Sequence, residues 1–86
     1  MQFKNLSFIK HPNTSEGIIA QVICNNSKRV SVVAGKGMYS TSKEGVREAC
    51  TKVEDALTFE VLVDGREVLG WQTREQIDKI LLENNS

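Results

Sequence analysis

The residues from Gly35 to Gly45, GKGMYSTSKEG, have the types and spacing that come nearest to chemistry in this chain. Two glycines flank a lysine, and three consecutive hydroxyl residues follow. Glycines let backbone amides approach an anion, and a helix N-terminus offers unpaired N–H groups and partial positive charge. Lys36, Lys43 and Arg47 would add ionic contacts, and Ser40, Thr41 and Ser42 hydroxyl donors. The spacing is not that of a P-loop, which needs a GxxxxGK[ST] pattern after a parallel strand. A second reading makes Gly35 and Gly37 a simple turn, with Thr41 capping a helix and Glu44 returning the bond from three residues on. A lone G-x-G is unspecific, so turn and cap is the leading expectation. A bound anion, if there is one, points to nucleic acid. Lys28, Arg29, Lys36, Lys43 and Arg47 would then track phosphates, with Tyr39 or Trp71 stacking on a base.

Other reactive groups are sparse. His11, the one histidine, sits beside Pro12 in a turn-rich stretch without an acidic neighbour in sequence. Cys24 and Cys50 fall in apolar patterns, where a free cysteine behaves as a small buried hydrophobe. No CxxC or HxxxH pair suggests a metal site, and the carboxylates of 54–83 form no recognisable acid/base pair. The expectation is a protein without cofactor or metal that binds rather than catalyses.

Charge is the most informative composition signal. The chain of 86 residues has a formal net charge of zero, but residues 1–27 carry +1, 28–52 carry +4 and 53–86 carry −5. A basic middle and an acidic end can pair within one fold or face different partners. The length supports one domain, 1–86, with a single core. No apolar run approaches the ~20 residues that cross a bilayer, and MQFKNLSFIKH lacks the apolar centre of a signal peptide. The expected place is the cytoplasm.

The elements that must position these residues read as follows. Gln2–Lys10 is an imperfectly alternating strand, and HPNTSEG a loop. Ile18–Cys24 and Arg29–Ala34, rich in β-branched residues, form strands around a turn at 25–28. A helix starts at Thr41, with Val46, Ala49, Cys50, Val53 and Leu57 on its apolar stripe. Asp64-Gly65 between apolar runs marks a two-residue hairpin, pairing Val61 with Val68 and Leu62 with Glu67. That register puts Leu62, Leu69 and Trp71 together on one face, a candidate protein interface because tryptophan is a frequent interface anchor. A last helix runs from Arg74 to Glu83 behind a Thr73/Gln76 capping box, and the NNS tail frays.

The run YSTSKEGVREACTKVEDAL, following antiparallel strands, resembles the N-terminal domain of HicB-type antitoxins over a small part of the chain. The resemblance implies a helix packed on an antiparallel sheet at that point and nothing more. The expected fold is α+β: an antiparallel sheet of about five strands with two helices, in the order β-β-β-α-β-β-α. The expected function is a small regulatory or inhibitory protein-binding module, homodimeric and acting through the 57–71 hairpin. The alternative is nucleic-acid binding through 28–47.

Overall fold

The computed structural model describes residues 1–86. Seven strands form one antiparallel sheet: β1 (Ile9–Lys10), β2 (Gly17–Ile23), β3 (Arg29–Gly35), β4 (Thr41–Ser42), β5 (Gly45–Val46), β6 (Ala56–Val63) and β7 (Glu67–Gln72). One helix, α1 (Arg74–Asn85), follows, and short 3-10 turns occupy Phe3–Asn5 and Val53–Asp55. The expectation of about five strands and two helices is therefore corrected. Strands β2, β3, β6 and β7 lie where the sequence places them; in β2, β3 and β6 the β-branched residues include buried ones, whereas β7 is fixed by the Asp64-Gly65 turn.

The missing helix is the main correction. Residues 41–46 make a small hairpin around Lys43-Glu44, pairing Thr41 with Val46 and Ser42 with Gly45. Thr41 caps nothing, and its N–H donates to Thr58 Oγ1 at 3.0 Å. Val46, one of the supposed stripe residues, is 63% exposed. Gly45 at φ +136° and Arg47 at φ +60° hold the backbone outside the helical region. The helix implied by the antitoxin resemblance is thus absent. Thr41, Gly45 and Val46, all weak helix formers, gave way to pairing between β4 and β5 and of β4 with β6.

At the N-terminus only Ile9–Lys10 joins the sheet, pairing with β2. Phe3 and Phe8 instead fold over the core, their rings 5.1 and 5.6 Å from that of Phe59. The Arg74 guanidinium lies 5.2 Å from both the Phe3 and Phe59 rings and donates to the Val53 carbonyl. The core itself joins Ile18, Val30, Val32, Phe59, Val61 and Val63 from the sheet to Ile77 and Leu81 from α1.

The capping box at Thr73 and Gln76 forms as the sequence predicts, with bonds of 3.2 and 2.8 Å. The tail does not fray. Asn85 accepts from the Asn25 N–H through Oδ1 and from Asn25 Nδ2 through its carbonyl. Asn84 accepts from Asn26 Nδ2 at 2.7 Å and, through its carbonyl, from the Asn26 N–H. These bonds satisfy the orphan carbonyl end of α1 and pin it to the β2–β3 turn.

A substitution at Gly45 separates the two structures by sign. In a helix, Gly45→Ala would stabilise by about 1 kcal/mol. In this hairpin the positive φ should make it destabilising by about 1 kcal/mol or more. A lower urea midpoint at unchanged slope is the expected result.

Candidate functional site

Side chains alternate across the sheet, so one face is set by even positions of β2 and β3 and odd positions of β6. That face carries the core and α1. The opposite face has no helix over it. Its cross-strand rows are Ile9–Ile19–Val33–Glu60 and Gln21–Ser31–Leu62–Val68, with Ile23 beside Arg29 at the turn end.

The hairpin turn forms at Asp64 (φ 55°) and Gly65 (φ 68°), and Arg66 N–H donates to the Val63 carbonyl. Pairing resumes one residue later than the sequence predicts, at Val63 with Glu67, so that Leu62 faces Val68 and Val61 faces Leu69. A slip of one residue exchanges the two faces of a strand. Leu69 therefore packs against the core with Val61, while Val68 turns outward beside Leu62 and is 50% exposed. The proposed set Leu62, Leu69 and Trp71 is divided: Leu62 belongs to the open face and Leu69 to the core.

Between Val61–Leu69 and Phe59–Gln72 the register shifts again, leaving Gly70 and Trp71 opposite Glu60. This bulge turns Trp71 into a left-handed conformation, φ 53°, which costs of order 1–3 kcal/mol for a residue of this kind. Its N–H donates to the Tyr39 carbonyl at 2.8 Å. The Tyr39 and Trp71 rings stand 5.3 Å apart, and Arg47 lies 5.0 Å over the Tyr39 ring. Arg47 is itself left-handed and is fixed by its guanidinium, which donates to the Gly37 carbonyl at 2.8 Å. The rings remain 42% and 47% exposed. Two strained residues thus hold one half-exposed aromatic corner.

The segment 38–39 reaches this corner across the open face. A Cβ added to Gly17 would come 2.9 Å from Met38 Cε, and one added to Gly70 would come 3.0 Å from Tyr39 Cβ. Tyr39 N–H donates to Glu60 Oε1. The chain here forms a ridge over the upper end of the sheet. Below it, at the turn end, lies a hollow of about 450 Å3 lined by Gln21, Ile23, Arg29, Ser31, Leu62 and Asp64, among others.

The basic candidates are dispersed. Lys28 and Arg29 flank the start of β3, whereas Lys36, Lys43 and Arg47 lie beyond its other end, about 20 Å away at ~3.3 Å per residue. Lys36 meets Glu16 at 3.8 Å and Lys43 meets Asp55 at 3.7 Å. No anion cradle exists in GKGMYSTSKEG, because its amides already donate within the protein: Gly35 to Ser40 Oγ, Lys36 to Glu16, Gly37 to Arg47 and Lys43 to Asp55.

His11 Nδ1 accepts from the Asn13 N–H, a local turn bond. Cys24 and Cys50 are free and buried, and burial pushes the Cys50 thiol up, away from the thiolate a nucleophile needs. Trp71 and Tyr39 were visible in the sequence as aromatics, but Val68 and Ile23 were not placed on the open face. An isolated glycine inside a strand pattern, Gly70, was the available sign of a bulge. Compared with known proteins, the chain matches no family model, no curated sequence and no solved structure.

Burial favours the neutral Cys50 thiol in the folded state. The folded thiol holds its proton more firmly than the unfolded chain does. Its contribution to stability is therefore intact at acid and neutral pH and is lost as pH rises through the thiol's ordinary range and beyond. Urea midpoints taken from pH 7 upward should fall more steeply for the native chain than for Cys50→Ala.

Proposed function

We propose that this protein is a small non-enzymatic regulatory or inhibitory module that acts by protein–protein contact, assembling as a homodimer in the cytoplasm. The observation that carries the reading is the open sheet face, where Ile9, Ile23, Val68, Tyr39 and Trp71 are all between 42% and 65% exposed. An aromatic anchor with few rotamers to freeze, rimmed by polar groups, is the usual make-up of an interface centre. A net charge of zero removes long-range repulsion between copies. Two buried free thiols suit a reducing compartment, and no helix is long and apolar enough to cross a membrane.

Nucleic-acid binding through Lys28, Arg29, Lys36, Lys43 and Arg47 is the weaker reading. Those cations occupy opposite ends of the sheet, and three of them already have partners within the chain.

Trp71 is the only tryptophan, so its emission reports on the corner directly. On concentration from nanomolar to high micromolar the emission should move to shorter wavelength as the indole leaves water. Trp71→Ala should keep its far-ultraviolet dichroism and raise the dissociation constant at least about tenfold, as anchor residues do. An emission maximum independent of concentration, with a mass of one chain throughout, would defeat the reading. Mixed RNA should leave both signals unchanged at low salt; a shift that high salt abolishes would favour the nucleic-acid alternative.

A further inference from the structure

Resting on that reading, we infer that the partner surface is a second copy of this chain, docked face to face so that the Tyr39–Trp71 ridge of each copy fills the hollow of the other. A ridge at one end of the strands and a hollow at the other are related by a two-fold axis running across the strands between them. Such an axis gives an isologous, closed contact in which each feature is used twice.

The chemistry of the two features matches. Tyrosine and tryptophan present an apolar body with a polar tip. Leu62 and Ile23 give the hollow its apolar lining, and Asp64 and the Gln21–Ser31 pair, bonded to each other at 3.0 Å, give it acceptor oxygens for the hydroxyl and indole N–H. Arg29 makes no ion pair within its own chain. The axis carries it toward the partner's aromatic corner and the partner's Glu60, where both a ring face and a carboxylate attract a guanidinium.

Four strands about 4.8 Å apart and about 20 Å long present roughly 400 Å2 of projected face. Two copies together bury roughly 800 Å2 of projected face, the size of a weak, concentration-dependent association.

Leu62 stands at the boundary of ridge and hollow, next to the axis, so two copies of it face each other. Cys24 and Cys50, 4% and 1% exposed, do not compete for oxidation. Leu62→Cys should therefore form a covalent dimer under mild oxidation, whereas Leu82→Cys, on the exposed side of α1 and 66% exposed, should not. Arg29→Glu, an exposed change that leaves the fold intact, should weaken the dimer about tenfold and slow the Leu62→Cys cross-link. Equal cross-linking at both cysteine positions would mean random collision and overturn the inference. A dimer by light scattering that gives no Leu62→Cys cross-link would overturn this docking and leave protein association standing. A monomer at all concentrations would overturn both.

Discussion

A helix of twelve residues is about 18 Å long, and it can cover one face of a sheet but not two. Everything distinctive in this protein follows from that limit. The covered face carries the continuous apolar core, closed at its upper edge by Phe3 and Phe8 packed on Phe59 and by Arg74 stacked over two of those rings. The other face must either be polar or be covered by something else. Its rows are neither wholly apolar nor wholly polar, with Ile19, Val33 and Leu62 set among Gln21, Ser31 and Glu60.

The chain covers part of that face itself. The excursion from Gly35 to Arg47 crosses the upper end, and Val33, which points to the open side, is only 4% exposed. The close approach depends on two small residues, Gly17 and Gly70, whose missing side chains make room for Met38 and Tyr39. The cost appears as backbone strain at Trp71 and Arg47, which is tolerated because the surrounding bonds over-determine both positions.

The same excursion explains why the basic middle segment does not act as a unit. Its amides are consumed by the crossing, and its cations are drawn to Glu16, Asp55 and the Tyr39 ring. Surface pairs at 3.7–3.8 Å contribute little to stability. Their effect is on the field: they neutralise Lys36 and Lys43 locally and leave Lys28 and Arg29 as separate charges at the far end.

Local sequence determined the elements whose signal is carried by adjacent residues. Thr73 and Gln76 cap α1 because the capping box is a contact within one turn, and Asp64-Gly65 makes the hairpin turn because positive φ is a single-residue preference. Strands β2 and β3 were legible because burial and β-branching agree there. Tertiary structure alone decided three things. It turned 41–46 into a hairpin, since pairing with β6 outweighed a capping box whose helix would have begun at Thr-Ser-Lys-Glu-Gly. It set the register of β6 and β7 one residue from the simplest turn, because Leu69 gains burial on the core face that Val68 does not need. It also joined Tyr39, Arg47 and Trp71, which are far apart in sequence and meet only when β7 bulges toward the crossing segment. Contacts between residues so distant leave no periodic trace in the chain, so the site was the part the sequence could not spell out.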